Sequence, residues 1–295
     1  MPVPYLDPDV IAFPEANDAL TDPNGLLAAG GDLSKSWLIA AYRRGIFPWY
    51  EDGQPILWWS PDPRLSLVPE QFRMSRSLRK LVKKKVYRVS FNQDFIGVIN
   101  GCRTSVRKSR GTWITNEMVT AYTDLYHSGL AHSVEVWSSR KLVGGLYGVS
   151  LGKIFFGESM FSAVDNASKI ALLYLSVHLR EWGYQLIDCQ VDSDHLRSLG
   201  ATEIPRSQFL DILEKFIKVL DAATKTLPTT HNLHWKDIPR DVVTNFLGDY
   251  EGHVDQQQTT SALRDFIALQ NPDHLKDWDV VLIRNKKRKP ERKIT

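Results

Sequence analysis

The chain has 295 residues, 43% hydrophobic and 24% charged, an ordinary globular composition with room for two domains or one domain with appendages. No run of about 18 apolar residues exists to span a bilayer, and an N-terminus with Asp7, Asp9 and Glu15 and no apolar stretch does not read as a signal peptide, so a cytosolic protein is expected. Cys102 and Cys189 stand far apart and without metal-knuckle spacing, which predicts two reduced thiols and no metal site.

The net charge of +3 hides an asymmetry. Between Gln71 and Arg110 stand Arg73, Arg76, Arg79, Lys80, Lys83, Lys84, Lys85, Arg88, Arg103, Arg107, Lys108 and Arg110 against the single acid Asp94, so a basic island sits on an otherwise acidic protein. Concentrated positive charge is the footprint of a phosphate-backbone partner, or else a solvated Lys-rich face; charge alone does not choose between them.

Along the chain, residues 1 to 64 are turn-rich and aromatic. Asp22-Pro23-Asn24-Gly25 and Gly30-Gly31-Asp32-Leu33-Ser34 are turn signals, and Ser34 is the expected N-cap of a helix through Ala40 and Tyr42 that stops at Gly45. The prolines and aromatics of Gly45 to Tyr50 and Trp58 to Arg64 exclude a regular helix and predict rigid aromatic loops, whose indoles are expected to line a binding surface. From Ser75 to Lys85, Leu78, Leu81 and Val82 fall at helical spacing among basic residues, giving an amphipathic helix whose wet face would meet phosphates. A second helix is expected over Asn116 to His127, with Met118, Val119, Tyr122 and Leu125 inward.

Residues 132 to 158 read as a strand meander: Val134 to Trp137, then Leu142 to Val149 with Gly144, Gly145 and Gly148, then Lys153 to Gly157. Glycines inside a strand suggest close approach of a ligand or of backbone. A helix follows from about Asn166 to Trp182, then the apolar strand Leu186 to Val191, a short helix near Asp194 to Leu199, a strand near Ile204 and a helix from Ser207 to about Leu220. That order is the order of a GNAT-type acyltransferase core within an α+β fold. Beyond about Ala223 the pattern weakens to one short helix within 261 to 283, a strand-like Val280 to Ile283 and a basic tail from Arg284 to Lys293.

Seven strings carry a resemblance: Gly45 to Trp49, Trp58 to Arg64, Gly111 to Thr115, His132 to Trp137, Gly157 to Ser162, Asn166 to Lys169 and Leu186 to Gln190. In order and spacing they resemble the bacterial leucyl/phenylalanyl-tRNA-protein transferases over roughly residues 11 to 212. The resemblance implies a small N-terminal domain (1–64), a GNAT-like catalytic domain (65–222) and, in this chain, a C-terminal extension (223–295) longer than the family's short tail. It implies transfer of Leu, Phe or, less well, Met from aminoacyl-tRNA to proteins beginning with Arg or Lys, marking them for degradation, by a cytoplasmic monomer without a cofactor. Trp49 and Trp113 would stack on the terminal adenosine. Leu146, Phe155, Met160, Leu172, Leu175, Leu179 and Ile187 would form the apolar side-chain pocket, with Glu158, Ser162, Asp188 and Gln190 as its polar centre. Arg76, Arg79, Lys80, Lys83, Lys84, Lys85 and Arg88 become the expected tRNA contacts.

The chemistry fits those residues. An aminoacyl ester is already activated, so what remains is to hold ester and amine together, remove a proton and stabilise an oxyanion. A free α-amine has a pKa of about 7.7 to 8.0, within reach of a modest base. Period two puts Asp188 and Gln190 on one strand face, where the carboxylate would orient the amide and the amide oxygen would accept from the incoming amine. An Asp in an apolar strand is costly unless paired. Glu158 would accept from either substrate's amine, or stand as a sheet-edge charge. Cys189 reads as buried filler, His127 and His132 as structural, and Lys169 as a phosphate contact or a sheet-edge cap. Two rivals remain in view. A CoA-dependent N-acetyltransferase shares the core but normally carries a Gly-rich turn before the long helix, where this chain has Ser162 to Ser168 without glycine. A non-catalytic tRNA-binding protein would explain the basic island but not the Asp188 and Gln190 pair.

Overall fold

In a computed structural model that describes residues 3–105 and 112–223, with side chains as far as 217, the chain begins with β1 (Tyr5–Leu6), β2 (Leu26–Gly30), α1 (Lys35–Tyr42), β3 (Phe47–Pro48) and β4 (Leu57–Trp59). The four strands make one sheet in the order β1-β2-β4-β3. The aromatic segments expected as loops therefore pair as short strands, β3 against β4 through Phe47 with Trp59 and Pro48 with Trp58. Trp58 is core rather than binding surface: its ring lies against Trp37 and Phe13, and its indole N–H donates to the Gly30 carbonyl at 2.8 Å. Gly45 follows α1 at φ 70°, and a side chain there would collide with Leu210 and Phe209, so this stop needs glycine twice over.

The chain continues through β5 (Arg64–Leu67), α2 (Arg76–Lys83), β6 (Arg88–Phe91), α3 (Phe95–Ser105), α4 (Asn116–His127), β7 (Ala131–Ser138), β8 (Lys141–Leu151), β9 (Ile154–Ser162), α5 (Ala167–Glu181), β10 (Leu186–Gln190), α6 (Asp194–Ser198), β11 (Thr202–Ile204) and α7 (Arg206–Ala223). Seven strands form one sheet in the order β11-β5-β10-β9-β8-β7-β6. The expected meander is β7-β8-β9, and the helix, strand, short helix, strand and helix expected after it all follow. Ser75 caps α2 and Thr115 caps α4 by accepting backbone N–H bonds from Leu78 and Met118. β5, β6 and α3 carry no clear signal in the sequence. α3 forms because Phe95, Val98, Ile99 and Cys102 are buried on the sheet, which overrides the poor propensity of Gly97 and Gly101.

Two neighbouring glycines show how the sheet is covered. A Cβ at Gly144 would meet Ala167 of α5, and one at Gly145 would meet Val98 of α3. Since successive strand residues face opposite ways, α5 and α3 cover opposite faces. These glycines admit the protein's own helices and backbone, not a ligand. At Gly148 the obstacle is likewise the Phe156 carbonyl and the Phe155 ring.

What opens the sheet is a break in register. β9 runs parallel to β10 only where Leu186, Ile187 and Asp188 pair with Ile154, Phe155 and Phe156. Immediately beyond, Glu158 is the extra residue of an irregularity between β8 and β9, and Cys189 that of one between β10 and β5. Paired irregularities in adjacent strands turn the two backbones apart. Gln190 is left at φ 63°, so the simple alternation expected for Asp188 and Gln190 does not hold.

Among the described residues no helix is long and apolar enough to cross a membrane. Arg107, Lys108, Arg110, Gly111 and the elements expected after residue 223, the basic tail among them, lie outside the described residues.

Candidate active site

The gap between β9 and β10 is a pocket of about 310 Å³, at the small end of ligand sites. Leu146, Phe155, Met160, Leu172, Leu175 and Ile187 line it as expected, and Trp49 and Trp113 stand among its lining residues. Trp49 is 41% exposed and its ring tilts against Trp59, whose indole N–H donates to the Trp49 carbonyl. A large aromatic held this way, at a pocket and in contact with water, presents an apolar ring face beside the opening.

Two expected members lie elsewhere. Leu179 is fully buried one helical turn beyond Leu175 and does not line the pocket. The Ser162 hydroxyl is committed to the start of α5, accepting from Ser168 N at 2.8 Å and donating to Ser168 Oγ at 3.0 Å.

The polar end holds Glu158, Asp188 and Gln190. Asp188 does not orient the Gln190 amide. Its carboxylate is gripped by Arg64, Nε to Oδ1 at 2.8 Å and Nη2 to Oδ2 at 2.7 Å, with both side chains fully buried. Asp188 Oδ1 also accepts the backbone N–H of Gln190 at 2.9 Å, which fixes the left-handed turn. The Arg64 guanidinium lies 4.7 Å from the ring centres of both Phe47 and Phe209. The side-chain amide of Gln190 donates instead to Glu158 Oε1 at 2.9 Å. That leaves the Gln190 carbonyl oxygen to accept from a substrate.

Glu158 is a buried carboxyl in the sheet interior, not an edge charge. The hydroxyls of Tyr42 of α1 and Tyr122 of α4 lie at hydrogen-bonding distance from Oε1 and Oε2, both at 2.7 Å. Burial pushes its carboxyl up to about 7, with the nearby Asp188 adding to the rise and the bonds from Tyr122, Tyr42 and Gln190 opposing it. The pocket therefore carries a group able to gain or lose a proton near neutrality. Cys189 lies at the pocket as well, its thiol pushed up by burial and by Asp188, which makes it a poor nucleophile. His132 contacts Asn92 within the sheet, a structural setting, and Lys169 stands close enough to His195 to lower its pKa, after burial.

Arg64, Tyr42 and Tyr122 join the site although the sequence does not single them out for it. Arg64 has one signal: a basic residue opening the apolar run Leu65-Ser66-Leu67, in a chain whose buried Asp needs a partner. The two tyrosines give none beyond the inward face expected of Tyr122.

Of the basic residues, Arg76, Lys80, Lys83, Lys84 and Lys85 are exposed on and just after α2, whereas Arg79 and Arg88 are half-buried. Arg88 lies over the Trp137 ring and donates to Gln93.

Two family models match the chain: leucyl/phenylalanyl-tRNA protein transferase over residues 66–214, and the N-terminal domain of the same family over residues 31–62. A leucyl/phenylalanyl-tRNA–protein transferase of Cellvibrio japonicus is 52% identical over 236 residues, covering 80% of this chain and 97% of that one. The transferase of Azotobacter vinelandii is 56% identical, covering 70% and 92%, and that of Pseudomonas fluorescens 54%, covering 75% and 97%. Among solved structures, L-PGS from Bacillus licheniformis is similar at a TM-score of 0.31 and 11% identity, over 55% of this chain and 52% of that one, too loose a likeness to bear on the fold.

Proposed function

Because the chain belongs to the leucyl/phenylalanyl-tRNA protein transferase family, and is thus an aminoacyltransferase, we propose that it moves Leu, Phe and, less well, Met from the tRNA ester to the N-terminal amine of proteins beginning with Arg or Lys, marking them for degradation. One observation carries the reading: a single pocket joins an apolar floor to a polar end at the point where β9 and β10 part. An apolar side chain fits the floor, and a charged one is refused because nothing there can solvate it. With the side chain seated, the ester carbonyl reaches the polar end, and Trp49 and Trp113 are the platforms for the terminal adenosine.

At the polar end the Gln190 carbonyl oxygen receives the acceptor amine, and Glu158 holds the amide in place. Asp188 and Arg64 act behind them by fixing the Gln190 backbone. Binding does most of the work, since an activated ester and an amine in contact need little more than position and proton management. Arg76, Arg79, Lys80, Lys83, Lys84, Lys85 and Arg88 are the tRNA-backbone contacts in this reading, in a cytoplasmic monomer whose core is GNAT-like. The parallel strand pair that separates at the site supports that last assignment.

Incubation with Phe-tRNA and an Arg-initiated peptide tests the whole reading. The peptide should gain the mass of one phenylalanine residue, and the same peptide beginning with Ser should gain nothing. An unchanged Arg peptide would refute it.

A further inference from the structure

Two hydroxyl groups and a carboxyl group meet behind the pocket in a pattern whose protons can be counted. Tyr42 Oη lies 2.7 Å from Glu158 Oε1, Tyr122 Oη lies 2.7 Å from Oε2, and the two hydroxyls lie 2.5 Å from each other. Each of these is a hydrogen-bonding distance for oxygen. A phenol carries one proton and an ionised carboxylate none. Two hydroxyls can therefore serve two of the three contacts. If both donate to an ionised Glu158, the hydroxyl oxygens face one another with no proton between them, deep in the protein where both tyrosines are fully buried. A third proton on the carboxyl removes the conflict. Oε2–H then donates to Tyr122, Tyr122 to Tyr42, and Tyr42 to Oε1, so that every contact has a donor and an acceptor.

On the basis of the transfer reaction argued above, we propose that Tyr42, Tyr122 and Glu158 form a closed ring sharing three protons at rest, and that Glu158 carries the amine's proton to the departing ribose oxygen during transfer. The tyrosines are positioning residues: only the carboxyl corner of the ring lines the pocket. Glu158 first gives its resting proton to solvent. As the neutral amine nitrogen forms its bond to the ester carbonyl carbon, Glu158 takes one N–H proton. When the carbon–oxygen bond to ribose breaks, that proton passes to the ribose oxygen. The products are an amide and a ribose hydroxyl, and Glu158 is left ionised, regaining its resting proton from solvent.

The surroundings agree with a carboxyl that gives up its proton near neutrality. The groups facing it are Tyr42 from α1, Tyr122 from α4, Tyr147 from β8 and Asp188 with Gln190 from β10, while Arg64 of β5 pairs with Asp188 and Cys102 of α3 lies near Tyr147. No cation bonds Glu158 directly among the described residues, whereas Asp188 has its own. Burial and Asp188 hold the carboxyl at about 7 against an ordinary 4.5. A carboxyl raised in this way contributes stability that is complete below 4.5 and lost as pH rises through about 7.

Glu158→Gln is the decisive variant, because its amide N–H replaces the carboxyl proton and its carbonyl accepts from Tyr42, closing the same ring at every pH. Its melting temperature should match the parent at pH about 5 and exceed it progressively towards pH about 8, while single-turnover transfer from Phe-tRNA falls about 100-fold or more with KM for the tRNA little changed. A variant that grows less stable relative to the parent as pH rises would show that Glu158 is an ionised acceptor held by two donors, and would overturn the ring. Infrared difference spectra of the parent enzyme give a second reading that needs no variant. A carboxylic-acid carbonyl band should vanish as pH passes about 7 and should shift in Tyr122→Phe, which separates it from any band of the buried Glu135. Absence of that band overturns the proposal. A parent enzyme that transfers nothing to an Arg peptide yet shows the band would refute the transfer reading and leave the ring standing.

Discussion

Asp188 shows how far a single residue can be read without its partner. A carboxylate between Ile187 and Cys189 in an apolar strand had to be paired, and so it is, but the partner is Arg64, 124 positions away, a distance that no local pattern spans. The alternation that would join Asp188 to Gln190 fails because Cys189 is an extra residue and Gln190 turns left-handed, which hands the amide to Glu158. What Asp188 supplies is backbone geometry, and that leads to a stability prediction. Arg64→Met should strand a buried carboxylate and cost about 3–5 kcal/mol, and Asp188→Leu should strand a buried guanidinium at a similar cost. The double variant removes both charges and should be far less damaging than the sum of the two. Urea unfolding of the four proteins would measure the coupling, and additive losses would mean that the bidentate pair is not holding the turn.

At the level of elements, the sequence was most legible where one period ran undisturbed: α2, α4, α5, the meander and the order of elements from α5 to α7 all stand where periodicity put them. β6 and α3 escaped because their stability comes from burial against β7 and β8, not from capping or strong helix formers. Leu146, Phe155, Met160, Leu172, Leu175 and Ile187, named through the family resemblance, line the pocket, whereas Leu179 lies in the core, the Ser162 hydroxyl is bound to the start of α5, and Phe47, Tyr147 and Val191 line the pocket without having been named. α2 gives the clearest test of an element acting as a unit. Leu78 anchors it inward while Arg76, Lys80, Lys83, Lys84 and Lys85 stand in solvent on it and just beyond. Phosphate contacts carry no information about the amino acid on the tRNA. Lys80→Glu with Lys84→Glu should therefore weaken binding of leucyl- and phenylalanyl-tRNA equally, and should reduce the salt slope by about 1 for each phosphate no longer neutralised. A salt titration by filter binding reads both effects, and an unchanged slope would make the face merely solvated.

For the molecule as a whole, the question is how much of the chain the active site needs. Residues of the N-terminal sheet and of the larger sheet belong to one continuous hydrophobic cluster, running from Trp37 and Trp58 to Tyr122 and Phe156 and on to Phe209, Leu213 and Ile217 of α7. α7 also bonds the segment that joins β4 to β5. Arg206 donates from Nη1 to the Ser60 carbonyl at 2.6 Å and from its backbone N–H to Asp62 Oδ1 at 3.0 Å, and Phe209 lies against the guanidinium that holds Asp188. α7 is therefore part of the support for the Gln190 turn, although no described residue of it lines the pocket. A chain ending at Ala223 keeps all of these interactions and every pocket residue among those described, so it should fold and should transfer Phe at a rate within a few-fold of the full chain. A chain ending at Ile204 loses three buried anchors of the shared core and leaves Arg64 exposed on one side. Burying each such side chain contributes roughly 1.5–3 kcal/mol, so losing three removes much of the roughly 5–15 kcal/mol that holds a domain folded. That product should be insoluble or unfolded by circular dichroism. If the chain ending at Ala223 folds yet transfers nothing, residues 224–295 supply a contact to tRNA or to the acceptor that the catalytic pocket lacks, and titrating the separated extension against charged tRNA would identify which.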